Sequence, residues 1–122
     1  MSSYAKPKLL TFKADAAIPE GAVVKYGSDN KHVAKSTAAT DKHVGIAQNA
    51  AVNAGDKVEV ALPGGGAKAL AGGSINGGDV LTADSSGNVV ATTTDHDRVI
   101  AVALDGAASA DLVSVHVVLF IY

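Results

Sequence analysis

The chain has 122 residues, a length that suits one domain. Apolar residues make up 48% of it but aromatic residues only 4%, so the core must be built mainly from Ala and Val. The formal net charge of -2 argues against a nucleic-acid-binding protein, because such proteins need a concentrated excess of Lys and Arg to displace counterions. The net negative charge is also too small for an acidic disordered tail.

The sequence contains no cysteine, which excludes disulfides, thiolate nucleophiles and thiolate metal ligands. Its first residues lack the apolar run of a secretory signal, and no segment has the roughly 18 apolar residues of a membrane helix. We therefore expect a protein that is made and folded in a reducing cytoplasm, with neither a membrane nor nucleic acid as its partner.

Residues 1–13 are predicted to form an extended N-terminal arm, and residues 14–122 a single β domain. In the arm, lysines alternate with apolar residues around Pro7, which cannot donate a hydrogen bond to a sheet. Such a segment suits an edge strand or a partner's sheet, and a frayed terminus is the alternative. The candidate partner-binding residues of the arm are Tyr4, Lys6, Lys8, Leu9, Leu10 and Phe12.

Several segments of the domain have the composition of strands separated by turns. Pro19-Glu20-Gly21 has the form of a turn with glycine at the position that needs a positive φ. In residues 57–62 polar and apolar residues alternate with a period of two, as in a half-buried strand. Strands are predicted at residues 22–26, 32–35, 43–48, 57–62 and 112–122.

The second half of the chain repeats the pattern of the first. Matching segments begin at residues 18 and 75, 44 and 100, and 55 and 110, with offsets of 57, 56 and 55. The offset falls by one residue from each segment to the next, as expected if the loops between equivalent strands are shorter in the second copy. We predict an internal repeat of about residues 18–62 and 75–119. The expected fold is all-β, a small barrel or sandwich of two similar halves, because closure removes exposed sheet edges.

The last predicted strand is the most apolar segment of the chain. One face carries Val113, Val115 and Val117 and stays apolar to Ile121, whereas the other begins polar and becomes apolar near its end. A strand that is apolar on both faces should be covered on both sides, by the core of the domain or by a neighbouring subunit. The candidate subunit-interface residues are Val118, Phe120 and Tyr122.

No motif in the sequence indicates catalysis, and we predict no enzyme activity, no cofactor and no metal. Most aspartates lie in turn contexts, where their carboxylates bond to nearby backbone groups. Asp95-His96-Asp97 is a candidate metal site, but adjacent strand residues point to opposite faces and no second cluster adds ligands. His43 and His116 lie in apolar runs, which is typical of hydrogen-bonded interior or interface histidines.

Lys68 supports an alternative function. Biotinyl and lipoyl carrier domains are small β-sandwiches of two similar halves that display a modified lysine on a central hairpin, and Lys68 lies centrally in this chain. Three glycines precede it and its neighbours are alanines, whereas carrier lysines lie in a tight turn beside Met or Asp.

Taken together, four segments resemble the capsid cement, or head decoration, proteins of tailed bacteriophages. The resemblance covers about residues 16–118. Its most specific part is GDKVEV leading into LPGGG, followed by GDVLTAD with a glycine shortly after. The segments are AAIPEGAVVKYG, KHVGIAQNAA, GDKVEVALPGGGAKALAGGSINGGDVLTADSSGNVVA and DRVIAVALDGAASADLVSVHVV.

This resemblance implies a non-enzymatic structural protein of the virion, located on the capsid surface after synthesis in the bacterial host cytoplasm. It implies binding to the outside of the expanded capsid, with the major capsid protein as partner, and stabilisation of contacts between capsomers. Members are β-rich and often trimeric, and some are dimeric. A carbohydrate-binding module displayed on the virion is a further alternative, although sugar sites usually need exposed aromatic platforms and this chain has few aromatic residues. The arm is then expected to add a strand to a capsid-protein sheet, and its deletion over residues 1–13 to abolish binding while leaving the fold intact.

Overall fold

The computed structural model describes residues 8–122, so Tyr4 and Lys6 of the predicted arm lie outside it. The described residues form ten strands and no helix, and hence no helix that could span a membrane. The strands are β1 (Leu9–Ala14), β2 (Val23–Tyr26), β3 (His32–Lys35), β4 (His43–Ala47), β5 (Lys57–Ala61), β6 (Gly66–Leu70), β7 (Val80–Ala83), β8 (Val89–Ala91), β9 (Arg98–Ala103) and β10 (Leu112–Ile121).

The ten strands form two units with one topology. The first unit is a closed barrel in the order β1-β3-β2-β4-β5, in which β1 pairs with β5 antiparallel and with β3 parallel. The second is a five-stranded sheet in the order β6-β10-β9-β7-β8. Its outer strands approach each other only through an isolated parallel bridge between Ala71 and Val89. The prediction of an all-β fold made of two similar halves is confirmed.

Residue pairing shows that the repeat is structural. The isolated antiparallel bridge between Ile18 and Ala51 recurs between Ile75 and Ala107, at offsets of 57 and 56. Since β6 occupies in the second unit the place that β1 has in the first, the repeat begins with β1 at Leu9. The predicted copies at residues 18–62 and 75–119 therefore omitted one strand from the start of each.

Strand β4 connects the cores of the two units, because all five of its residues are buried. Val44 and Ala47 belong to the core of the barrel. Ile46 instead packs with Val23 and Ala61 into the core of the second unit. A strand that is apolar on both faces thus serves two cores at once, which suits a chain with few large side chains.

Hydrogen bonds between backbone groups also join the two units. The Leu70 N–H donates to the Gly21 carbonyl oxygen at 2.9 Å, and the Val23 N–H donates to the Gly87 carbonyl oxygen at 2.8 Å. On another side, the Arg98 N–H donates to the Ala39 carbonyl oxygen, also at 2.8 Å. With the shared core, these bonds make the two units one packed domain.

Most of strand β1 falls in residues 1–13, which the sequence predicted to be an arm. Residues 9–13 are part of the barrel, and the Phe12 side chain is only 5% exposed. The Phe12 ring packs edge-on against the Tyr26 ring, with centroids 6.1 Å apart. An alternation of polar and apolar residues fits a barrel strand with one buried face as well as it fits an arm, and here Phe12 and Ala14 face inward.

The end of β10 also differs from the prediction. Val113, Val115 and Val117 are fully buried, as expected for one face of the strand. The pairing register with β9 then shifts between Val117 and Phe120, which is a β-bulge. Beyond the bulge, Leu119 and Ile121 are exposed, so the buried face ends at Val117.

One turn recurs four times and places its third residue at a positive φ. The third residues are Gly21, Gly55, Gly78 and Ala110, with φ of 86°, 90°, 90° and 73°. In the last copy, the Asp111 N–H donates to the Ala108 carbonyl oxygen at 3.1 Å, as the equivalent groups do in the other three. Ala110 therefore holds a left-handed conformation that is unfavourable for a residue with a Cβ atom.

We predict that Ala110→Gly raises the free energy of unfolding by about 0.5 kcal/mol, because the relief of the left-handed strain exceeds the added flexibility of the unfolded chain. The matched control is Ala108→Gly, the same change at an exposed position of the same turn without a positive φ. It should lower stability by about 0.5–1 kcal/mol. Urea unfolding of both variants measures the difference, and equal destabilisation would contradict the explanation.

His43, in β4, is a buried ionisable group. Its Nδ1 lies 3.0 Å from the Ser36 Oγ, and its Nε2 has no hydrogen-bond partner among the described residues. Burial lowers the pKa of the imidazole because the charged form loses its hydration, and the nearby Asp41 carboxylate opposes this effect only in part. His43 is therefore expected to stay neutral in the folded protein at a pH that protonates it in the unfolded chain.

This difference predicts that stability falls in mild acid. The unfolded imidazole takes up its proton at about pH 6.5 and the folded one only at lower pH, so the unfolded state binds more protons in between. The free energy of unfolding should drop as the pH falls below about 6.5, by at most about 1.4 kcal/mol per pH unit, and level off below the folded-state pKa. Urea unfolding at several pH values measures this slope. His43→Asn should flatten it, whereas His96→Asn, at an exposed histidine, should retain it.

Candidate interaction surfaces

Several aspartates of the described residues stabilise turns. Backbone N–H groups within four residues donate to the carboxylates of Asp29, Asp56, Asp79 and Asp84 at distances of 2.8 to 3.1 Å. The Asp105 carboxylate instead accepts from the Ser114 N–H of β10 at 3.1 Å. Asp97 accepts a hydrogen bond from the Thr92 hydroxyl. Residues 8–122 contain no group of three or more acidic, histidine or cysteine side chains placed to hold a metal. Asp29, Asp56, Asp79 and Asp84 thus bond to nearby backbone groups in turns, as predicted.

Lys68 lies in the middle of strand β6. Its Nζ donates to the Ser114 Oγ at 2.7 Å on the adjacent strand β10. The carrier function requires a lysine that a tight turn presents to a modifying enzyme, and Lys68 does not lie in such a turn. Its position therefore gives the carrier alternative no support.

A C-terminal apolar surface is formed by Leu119, Phe120, Ile121 and Tyr122, which are 51, 45, 57 and 43% exposed. The segment is fixed to the body of the domain, since the Tyr122 N–H donates to the Asp97 carbonyl oxygen at 2.8 Å. Val118, the remaining predicted interface residue, is half-buried. The structure thus places Phe120 and Tyr122 together on an exposed surface that covers more residues than the sequence analysis named.

A second surface, the β1 groove, runs along the barrel between β1 and the β2–β3 turn. Strand β1 pairs with β3 only at Lys13 and Ala14, so the two strands separate toward Leu9. The resulting groove has a volume of about 440 Å³. Its walls include Leu10, Lys13, Lys31, His32 and Lys57.

The described residues of the predicted arm divide between this surface and the core. Lys8, Leu9 and Leu10 are exposed at the start of β1. Phe12 is a core residue that is only 5% exposed, and it contributes to the wall of the groove. The sequence analysis missed the role of Lys31 and Lys57 in the groove, because no local pattern shows that β1, β3 and β5 meet there.

A family model of phage cement proteins matches residues 6–119 of the chain. The chain belongs to the phage cement protein family. It is therefore a structural, capsid-binding protein of the phage virion, as the resemblance of its sequence indicated. No curated protein matches the sequence.

Among solved structures, the fold is similar to that in the crystal structure of the head fiber gp8.5 N base in bacteriophage phi29. The TM-score is 0.69, the sequences are 21% identical, and the match covers 90% of this chain and 92% of that one. At this identity the likeness establishes the fold. The two-unit β architecture of this cement protein is thus one that a phage head protein also adopts.

Proposed function

We propose that this cement protein binds the outer surface of the expanded capsid as a homo-oligomer, with the major capsid protein as its partner. Bound there, it reinforces contacts between capsomers without any catalytic step, after synthesis in the host cytoplasm. The observation that carries the proposal is family membership over residues 6–119, and the two exposed surfaces described above supply candidate contacts.

The C-terminal apolar surface is the proposed contact between subunits. Four consecutive large apolar side chains are exposed there, and their burial in an interface is favourable because it removes apolar surface from water. Phe120 and Tyr122 bring aromatic rings, which are enriched in the centres of protein interfaces. The family resemblance favours a trimer over a dimer as the form in which these surfaces meet.

The start of β1 and the residues before it are the proposed contact with the capsid. Leu9 and Leu10 offer exposed apolar area, and Lys8 adds positive charge beside them. Tyr4 and Lys6, as residues of the preceding segment, extend this contact. Each site contributes modestly, and the many copies on one lattice, together with the linked subunits of each oligomer, supply avidity.

The arm contact predicts that removing residues 2–7 weakens binding to undecorated expanded heads. The truncation stops before Lys8 because the Leu62 N–H donates to the Lys8 carbonyl oxygen at 2.7 Å, and because β1 is part of the barrel. Deleting residues 1–13 would remove most of β1 and test folding instead of binding. Occupancy on heads, measured by sedimentation and gel densitometry at fixed salt, should fall while the unfolding temperature stays unchanged. Unchanged occupancy would refute the arm contact.

The subunit contact predicts that Phe120→Ser/Tyr122→Ser converts the oligomer to a monomer, because the change removes the two exposed aromatic side chains at the proposed contact. A matched control is Val52→Ser/Leu104→Ser, which changes two other exposed apolar residues. Sedimentation equilibrium measures the molar mass of each protein. The control should keep the mass of the unmodified oligomer, and an unmodified protein that is itself monomeric would rule out this interface.

A further inference from the structure

Among residues 8–122, strand β1 has an unpaired edge beside the groove. The Phe12 backbone faces β5, where Phe12 pairs with Val58, and the backbone of Lys13 faces β3, where its N–H donates to the Lys31 carbonyl oxygen at 3.0 Å. Since alternate residues of a strand bond to the same side, the N–H and C=O groups of Leu9 and Thr11 point to the same edge as those of Lys13. Within residues 8–122 no strand pairs with this edge before Lys13.

The second unit shows how the equivalent edge is occupied. Lys68 in β6 lies 57 residues after Thr11 and holds the same place in its sheet. Its N–H donates to the Gln48 Oε1 at 3.1 Å, and its carbonyl oxygen accepts a hydrogen bond from the Gln48 Nε2 at 3.0 Å. The side-chain amide of Gln48 thus takes the place of the peptide group of a neighbouring strand.

The first unit has no counterpart to this amide among the described residues. Gln48 lies just after β4, and the residue at the same point after β9 is Leu104, 56 positions later. Its side chain cannot form hydrogen bonds, and it lines a surface pocket together with Gln48 and Lys68. By comparison with β6, the backbone of Thr11 lies at an edge that can bond a peptide-like group, and the described residues fill this edge in only one of the two units.

The charge of the groove restricts what fills it. Lys13 and Lys57 lie directly opposite each other in the β1–β5 ladder, a like-charge pair that is unfavourable without a compensating anion. Lys13, Lys31 and Lys57 form no ion pair with the described residues. The nearby carboxylates already have other partners: Asp29 forms a hydrogen bond with His32, and Glu59 accepts a hydrogen bond from the Thr11 hydroxyl.

We propose that the β1 groove binds an extended, acidic segment of the capsid protein, which adds to the free edge of β1 as a further strand. Its backbone bonds to Leu9 and Thr11, and its carboxylates face the lysines of the groove. Here the capsid donates the strand and the cement protein supplies the sheet. The proposal takes the source of the segment from the function proposed above, whereas the chemistry of the segment follows from the groove.

The backbone contact is tested with Thr11→Pro and its matched control Thr11→Val. Both variants lose the hydroxyl bond to Glu59, but only proline removes the N–H at the free edge, and an edge position tolerates proline in a strand. Binding to undecorated expanded heads should weaken at least about fivefold in the proline variant relative to the valine variant, with equal thermal stability. Equal affinity of two folded variants would overturn the inference and leave the proposed function standing.

The charge contribution is tested with two double variants of equal net charge. Lys31→Glu/Lys57→Glu reverses charge in the groove, and Lys42→Glu/Lys68→Glu reverses charge at two exposed lysines outside it. The groove variant should bind heads at least about tenfold more weakly and with a smaller salt dependence, while the control stays near the unmodified protein. Equal weakening of both would show a net-charge effect and overturn the assigned groove.

A peptide titration tests the groove without heads. The probe is a capped hexapeptide of alternating Glu and Val, and its counterpart alternates Lys and Val. In isotope-labelled protein, the amide signals of Leu9 and Thr11 should shift with the acidic peptide and stay in place with the basic one. Equal shifts with both peptides would contradict the proposal that the bound segment is acidic. Failure of the unmodified protein to bind heads would instead overturn the proposed function.

Discussion

The structure depends on the burial of β4 on both of its faces. The chain has few large apolar residues, so one strand contributes to the barrel core and to the core of the second unit at once. This arrangement requires close packing of backbones. A Cβ atom on Gly45 would lie 2.1 Å from the Ala61 carbonyl oxygen, so only glycine lets β4 and β5 approach this closely. The two units are therefore interdependent, and neither has a complete core alone.

The two units share a topology, and the candidate interaction surfaces lie where they differ. The barrel closes through the pairing of β1 with β3, whereas the second sheet stays open apart from the bridge between Ala71 and Val89. Strand β10 extends beyond its sheet and exposes its apolar end, while the equivalent β5 stops at Ala61. The amide of Gln48 caps the edge of one unit only. The repeated topology thus forms the body of the protein, and the candidate contacts with partners lie where the two units differ in structure.

Much of the fold followed from local patterns. Strands β2 to β5 lie within a residue of their predicted bounds, because alternation and turn residues act over short distances. The recurring Gly-Asp turns also revealed the repeat. The position of β1 was missed because the lysine alternation around Leu9 and Leu10 fits an exposed arm and a barrel strand equally well. The exposure of Leu119 and Ile121 was missed because a bulge reverses the facing of side chains and leaves no clear mark in the sequence.

The sequence by itself determined the all-β class, the doubling, the turns and the resemblance to cement proteins, since each depends on residues that are neighbours in the chain. Tertiary structure alone decided that Phe12 is a core residue, that Leu119 and Ile121 are exposed, and that Lys13, Lys31 and Lys57 line one groove. These facts depend on which strands pair across long separations in the chain. Such pairing is set by the joint burial of many side chains, so no short segment carries the information.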